Sequence, residues 1–281
     1  EQMPTDTFEA FQITVSESEC RIQANDSEGI RRGIFYLEDE LLRAEGPFLK
    51  PGVTHRKPFI RNRISRCFFG PIKREPKFKD ELMDAVDYYP DHYLNKIAHD
   101  GVNGLWLTIE FKDIVQTSLT PVVDPGRAQR LEKLRATVEK CRRYGIEVFV
   151  FCIEPRVMDP EHPLLLAHPE IGSKTTGTGR LFCPFPEASQ KYLYEAMNDL
   201  FTQVPRLGGL INISFGERST TCLSGADEQW KLMCPTCAQK SPGEVLQASL
   251  SAMERGMHAA NPRARFISWL YVPENGTGPQ R

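Results

Sequence analysis

Residues 146–154 decide the fold class of this chain, and their sequence is IEVFVFCIE. The run is almost entirely apolar and has the length of a strand, which is typical of a strand buried on both faces of a parallel sheet. A helical stripe precedes it, and Gly145 stands where a helix commonly ends. The stripe consists of Leu131, Leu134, Val138 and Cys141. A helix followed by a buried strand predicts a β/α architecture.

Short apolar runs alternate with amphipathic segments from Pro58 onward. The five runs are Ile60–Cys67, Gly104–Phe111, Ile146–Ile153, Gly209–Phe215 and Ala264–Val272. Strands that alternate with helices form parallel sheets. A complete (β/α)8 TIM-type barrel takes about 250 residues. The runs therefore predict an α/β fold, and an incomplete barrel that holds the first five βα units is one interpretation of it. An open doubly wound sheet is the alternative.

The first 57 residues follow a different pattern. Two stretches within residues 8–24 alternate apolar and polar side chains, which predicts a hairpin of half-buried strands. Asp26-Ser27 is an N-cap signal for a helix, and Gly46-Pro47 ends that helix. We therefore predict a small α+β domain at residues 1–57 and a barrel domain at residues 58–281.

Composition narrows the possible functions. The 281 residues include 35 Lys and Arg against 37 Asp and Glu, for a net charge of −2. This balance does not favour a dedicated nucleic-acid binder. No apolar run approaches the roughly 20 residues that span a bilayer. Neither a phosphate loop nor a dinucleotide-binding glycine motif occurs, so no cofactor is expected. The oligomeric state stays open.

Parallel α/β folds bind ligands at the carboxyl ends of their strands, where this chain carries polar and aromatic side chains. They are Arg61, Arg63, Trp106, Glu110, Glu154, His162, Glu217 and Trp269. Indoles stack on the apolar faces of sugars, and paired carboxylates supply the acid and base of glycoside hydrolysis. The set favours a carbohydrate site with Glu217 and Glu154 as catalytic candidates. Each residue also has a purely structural alternative in the core or on the surface.

Three cysteines follow the fourth apolar run. Cys234 and Cys237 form a CxxC pair, and Cys222 lies twelve residues before it. A structural zinc site needs four ligands, so these three would require a distant fourth residue. A disulfide within the trio and free thiols are the other two interpretations. In each case the expected role is to brace the loop beside Glu217.

The order of these segments resembles the family 20 glycoside hydrolases, the β-N-acetylhexosaminidases, and the related α-glucuronidase-like barrel enzymes. The resemblance is carried by residues 22–24, 29–37, 58–63, 103–108, 154–162, 181–184 and Trp269. It implies a barrel preceded by a small α+β domain, in a secreted or periplasmic enzyme that acts on carbohydrate. It also implies an arginine at the first barrel strand, Arg61 or Arg63, that binds sugar hydroxyls. Trp269 corresponds to a tryptophan that walls the sugar pocket.

Residues 213–217, ISFGE, resemble the Gly-Gly-Asp-Glu signature at the end of the family's fourth strand. This implies that Glu217 is the general acid. Gly216 stands where the family has the Asp that orients the acetamido group of the substrate. Despite this difference, the resemblance as a whole implies a β-N-acetylhexosaminidase-like glycoside hydrolase that acts on glycans or oligosaccharides. The alternatives are a related glycosidase that uses two carboxylates, a non-catalytic carbohydrate-binding barrel, and a metal-dependent hydrolase that uses His162, His168 and Glu154.

Overall fold

The computed structural model describes residues 6–66, 79–177, 179–216, 218–227 and 231–270. The strands are β1 Phe11–Val15, β2 Cys20–Ala24, β3 Gly52–Arg56, β4 Ile64–Ser65, β5 Gly104–Thr108, β6 Glu147–Cys152, β7 Gly172–Thr176, β8 Gly179–Phe182, β9 Gly209–Phe215 and β10 Arg265–Leu270. The helices are α1 Ser27–Arg43, α2 Asp91–His99, α3 Phe111–Ile114, α4 Arg127–Arg142, α5 Pro163–Ala167, α6 Glu187–Gln203 and α7 Pro242–Ala260. None of the helices in these ranges is long and apolar enough to cross a membrane.

The chain divides into two compact units. The first comprises Glu1–Cys67, Asp87–Leu105 and Glu139–Glu147, and the second comprises Phe68–Val86, Trp106–Val138 and Val148–Arg281. The three segments of the first unit are separated in sequence, so it is not limited to the first 57 residues. That residues 1–57 form a domain of their own therefore stays a prediction.

The first unit contains an antiparallel sheet in the order β2-β1-β3. The predicted hairpin is confirmed, since Phe11 pairs with Ala24 and Val15 pairs with Cys20. The predicted N-cap is confirmed as well, because the Asp26 carboxylate accepts a hydrogen bond of 2.7 Å from the Gly29 backbone N–H. A capping side chain satisfies a backbone donor that the helix itself leaves free.

The main sheet has five strands in the order β10-β9-β6-β5-β4, which is their order along the chain. The pairs β4–β5, β6–β9 and β9–β10 are parallel. Consecutive order is that of a β/α barrel, whereas strand order reverses in a doubly wound sheet. The fold is therefore α/β with a five-stranded sheet consistent with a partial TIM barrel, and the doubly wound alternative does not describe it.

The central strand is buried on both faces, as its apolar sequence predicts. Val148, Phe149 and Val150 are all fully buried in β6. The predicted stripe on α4 is buried too, with Leu134 and Cys141 at 0% exposure. Such burial of apolar surface contributes roughly 25 cal/mol per Å² to folding and fixes the position of the strand ends. Those ends carry the candidate site.

Candidate active site

Three aromatic rings meet near the carboxyl ends of β5, β6 and β10. The Phe151 ring lies edge-on to Trp106, with centroids 4.1 Å apart. The Trp269 ring lies 6.2 Å from Trp106 and 6.4 Å from Phe151. Trp269 is 42% exposed, so this cluster presents an indole to solvent. The structure thus brings together the two tryptophans that the sequence singled out, on a surface suited to stacking against a sugar.

Glu154 follows β6 and is almost completely enclosed, at 5% exposure. One carboxylate oxygen accepts a hydrogen bond of 3.1 Å from the Phe111 N–H, and the other accepts one of 2.8 Å from the Arg156 N–H. Burial raises the pKa of Glu154 to about 7, although these bonds and the Arg156 charge oppose the shift. The group can therefore gain or lose a proton near neutrality.

Glu110 and Arg156 form an ion pair beside Glu154. The guanidinium Nη1 of Arg156 lies 2.9 Å from Oε1 of Glu110, and Lys112 lies 3.0 Å from the other oxygen. Both strand-end carboxylates therefore contact Arg156, one through its backbone and one through its side chain. Arg156 was not among the predicted residues. Its place two residues after Glu154, in a loop that follows a buried strand, was the available signal.

Asn212 fixes the end of β6 from the neighbouring strand β9. Its amide oxygen accepts a hydrogen bond of 3.0 Å from the Glu154 N–H, and its amide nitrogen donates one of 2.9 Å to the Glu154 carbonyl. The same nitrogen donates to the Ser214 hydroxyl at 2.8 Å. Asn212 is fully buried, so these bonds form away from competing water. Sequence reasoning also missed this residue, because its run was interpreted only as apolar strand.

His162 precedes α5, where its Nδ1 accepts a hydrogen bond of 3.2 Å from the Leu164 N–H. Partial burial lowers the pKa of His162, which favours the neutral ring that this bond requires. The His168 ring contacts Glu170 at 3.2 Å. Within the described ranges, the histidines and Glu154 do not form a cluster of metal ligands. The metal-dependent hydrolase alternative therefore has no support there, and substrate binding by His162 stays a prediction.

Arg61 and Arg63 belong to the first unit. Arg63 forms an ion pair with the buried Glu9 and donates to the Gly101 carbonyl at 2.6 Å. Arg61 is exposed, with its guanidinium over the Phe8 ring at 5.6 Å. Arg63 thus has a structural role among the residues of its own unit. Sugar binding by either arginine stays a prediction.

Glu217, the predicted general acid, lies outside the described residues. The chain is fixed on both sides of that position. The Thr220 hydroxyl donates a hydrogen bond of 2.8 Å to the Ser214 carbonyl, and the Ser224 hydroxyl accepts one of 3.0 Å from the Thr220 N–H. Ser214 and Thr220 are both fully buried. The role of Glu217 stays a prediction.

The three predicted cysteines come together with a fourth. Cys183 completes the set, and the Sγ atoms of Cys183, Cys222, Cys234 and Cys237 all lie within 4.8 Å of one another. All four residues are buried. The distant fourth ligand that a zinc site would require is therefore present, and no disulfide joins these residues.

An α/β sheet whose strands follow one another in chain order is consistent with a partial β/α barrel. No protein-family model matches the chain, and a search of curated proteins found no sequence match. Solved structures of glycoside hydrolases share its fold. A family 138 enzyme that targets pectin rhamnogalacturonan II superposes with a TM-score of 0.59 at 14% identity, over 92% of this chain and 29% of the enzyme.

Two further similar structures confirm the resemblance to family 20 at the level of fold. The Flavobacterium johnsoniae chitobiase has a TM-score of 0.56 at 15% identity, over 94% of this chain and 40% of the chitobiase. A β-N-acetylhexosaminidase from Bacteroides fragilis has a TM-score of 0.54 at 15% identity, over 95% of this chain and 53% of the enzyme. This chain therefore spans less than two thirds of each of these proteins.

Proposed function

We propose that the protein is a glycoside hydrolase that acts on glycans or oligosaccharides at the carboxyl ends of β5, β6, β9 and β10. The proposal is carried by one observation: an aromatic cluster with one exposed indole, Trp269, and a buried carboxylate of raised pKa, Glu154, both lie near the carboxyl ends of the strands. An aromatic surface can stack on a sugar ring, and a titratable carboxylate can serve as one of the two carboxylates that glycoside hydrolysis uses. The fold shared with glycoside hydrolases supports the same conclusion.

In this proposal Glu217 is the general acid that protonates the glycosidic oxygen. Glu154 is the second carboxylate, and Glu110 is its alternative. Glu154 has a pKa of about 7, so it can accept a proton near neutral pH. Glu110 forms an ion pair with Arg156 and would, in this role, stabilise an oxocarbenium-like centre. Trp106 and Trp269 would stack on the sugar ring.

The mechanism determines whether the substrate needs an acetamido group. A β-N-acetylhexosaminidase of the family 20 kind needs an Asp before the acid, and Gly216 occupies that position. Cleavage with two carboxylates of the chain therefore requires no acetamido group. Aryl β-N-acetylhexosaminides and aryl β-hexosides, compared as substrates, separate the two mechanisms. Preference for the N-acetyl substrates by about tenfold or more supports substrate assistance.

A secreted or periplasmic location accompanies the proposal as a prediction.

Replacing Glu217 with Gln tests the general acid. We expect hydrolysis of substrates with poor leaving groups to fall by about 100-fold or more, because the departing oxygen then receives no proton. Aryl glycosides with acidic leaving groups should lose much less. Glu139→Gln, an exposed carboxylate on α4, is the control and should retain the full rate. Equal rates for the wild type and Glu217→Gln on all leaving groups would contradict the role.

A non-catalytic carbohydrate-binding protein is the second candidate. It is favoured by the engagement of both described carboxylates with protein donors, since Glu154 binds two backbone N–H groups and Glu110 pairs with Arg156. Calorimetry with oligosaccharides separates the candidates. Binding without release of new reducing ends, and with equal affinity in Glu217→Gln, supports the binding protein.

A further inference from the structure

Four cysteine side chains converge from three separate segments of the second unit. Cys183 follows β8, Cys222 lies in the short helical turn Cys222–Gly225, and Cys234 and Cys237 precede α7. The Cys183 sulfur lies 3.6 Å from that of Cys237 and 3.7 Å from that of Cys234. All four sulfurs fall within 4.8 Å of one another.

These distances distinguish between a disulfide and a metal site formed by the four cysteines. A disulfide requires a sulfur separation of about 2.0 Å, which is far shorter than either measured distance. Tetrahedral zinc with Zn–S bonds of about 2.3 Å places its four sulfurs about 3.8 Å apart. The separations of 3.6 and 3.7 Å match the edges of such a tetrahedron, and all four sulfurs lie within 4.8 Å of one another. We propose that Cys183, Cys222, Cys234 and Cys237 bind one zinc ion as a structural centre.

The surroundings of the four sulfurs suit a closed metal site. Leu223, Leu232 and Val245 are buried around the thiols, with Phe185 packed against the same cluster. An apolar shell excludes water from the metal and strengthens its bonds to thiolates. The Ser173 hydroxyl lies 3.1 Å from the Cys222 sulfur, where it can donate to the thiolate. Four protein ligands leave no open position, so the metal would be structural rather than catalytic.

The backbone of the CxxC segment is already shaped for metal binding. The Cys237 N–H donates a hydrogen bond of 3.0 Å to the Cys234 carbonyl, and the Lys240 N–H donates one of 2.8 Å to the Cys237 carbonyl. The Cys183 N–H is held at 2.7 Å by the Ile171 carbonyl. These turns hold the thiols in place, which reduces the ordering cost of binding.

Zinc would join three distant parts of the sequence. Cys183, Cys222 and the CxxC pair are separated by loops and by α6 and β9. Cys222 follows position 217 by five residues, so the metal would anchor the segment after the predicted acid. The inference does not depend on glycosidase activity, because it requires only the four thiols and their spacing.

Metal content is the direct test. We expect the full chain, purified without chelators from zinc-supplemented culture, to carry about one zinc per molecule by mass spectrometry of the metal. A mercurial reagent should release that zinc together with titration of the cluster thiols. Replacement by Co²⁺ should produce the visible absorption of tetrahedral thiolate coordination. Cys237→Ser should lose the metal on dialysis.

Cys141→Ser is the matched control, since Cys141 is equally buried but lies on α4 outside the cluster. It should retain the zinc of the wild type. The wild-type measurement decides the matter even if Cys237→Ser fails to fold. Wild-type protein that holds no zinc and binds no Co²⁺ would overturn the proposal. So would intact-protein mass spectrometry showing disulfides among the four cysteines, or bound iron in place of zinc.

Discussion

Glu154 holds an ionisable carboxyl group where water scarcely reaches it. Its pKa in the folded protein is about 7, above the ordinary 4.5, because burial disfavours the charged form. The folded state therefore binds more protons than the unfolded state between these values, and stability falls as pH rises through that window. With about 1.4 kcal/mol for each pKa unit, the loss attributable to Glu154 is up to about 3 kcal/mol.

Glu154→Gln removes this titration. We expect the free energy of unfolding of the wild type to fall more steeply between pH 5 and pH 8 than that of the variant, as measured by urea titration. Other titrating groups are shared by the two proteins and cancel in the comparison. Identical slopes would show that the Glu154 carboxyl ionises with its ordinary pKa.

Trp269 exposes the indole on which a sugar would stack. We expect Trp269→Ala to raise KM for an aryl glycoside by about tenfold, because the stacking surface is lost. The chemical step should change less, since the carboxylates remain. Leu270→Ala is the control, because Leu270 is the next residue on the same strand and is similarly exposed. Equal effects of the two substitutions would indicate general damage to β10.

Residues of the site were predictable to different degrees. Glu154 and Trp269 stand at the ends of apolar runs, so their position followed from strand periodicity and the rule for parallel sheets. Cys183 joins the other cysteines only through tertiary contacts, since it lies 39 residues before Cys222. No local pattern specifies such a partner. Asn212 was missed for a related reason. The hydrogen-bond partners of a polar residue within an apolar strand are known only from the three-dimensional structure.

Helices α6 and α7 approach each other at a glycine. A Cβ at Gly256 would lie 2.1 Å from the Tyr194 carbonyl oxygen, so Gly256→Ala forces the helices apart. We expect a loss of about 1–3 kcal/mol in the free energy of unfolding. Gly243 in the same helix has its nearest neighbour at 4.0 Å. Gly243→Ala should therefore stabilise the protein by about 0.5–1 kcal/mol.

Both glycine variants are measured by urea titration under the same conditions. The opposite signs are the distinctive expectation, because helix propensity alone favours alanine at both positions. Destabilisation by both variants, or by neither, would contradict the close packing of α6 against α7.

Local pattern predicted the long elements and missed the short ones. Strand β9 has the predicted bounds, Gly209–Phe215, because its apolar run is unbroken. The run at Gly104–Phe111 is shorter as a strand, since α3 begins at Phe111, where the Glu154 carboxylate binds the backbone. The β7–β8 hairpin was not predicted, because its polar side chains give no alternation. The bond between the Phe111 N–H and the Glu154 carboxylate is a tertiary contact, which no local pattern predicts.

At the scale of the whole molecule, the order of the strands in the main sheet identifies the type of fold. Five strands were predicted from the apolar runs, and the sheet contains five strands in chain order. Periodicity alone could not choose between a barrel and a doubly wound sheet, because both alternate strands with helices. The resemblance to family 20 glycoside hydrolases favoured the barrel, and the shared fold of the solved structures agrees with it.

Hydrolysis of a glycosidic bond at these strand ends is the central claim. Proton NMR of an oligosaccharide incubated with the wild-type protein measures it most directly, because each cleavage creates a new anomeric signal. We predict that the signal grows with the wild type and not with Glu217→Gln, and its initial α or β form gives the stereochemistry. Persistent sugar binding by the wild type, with no new anomeric signal over days, would contradict the claim.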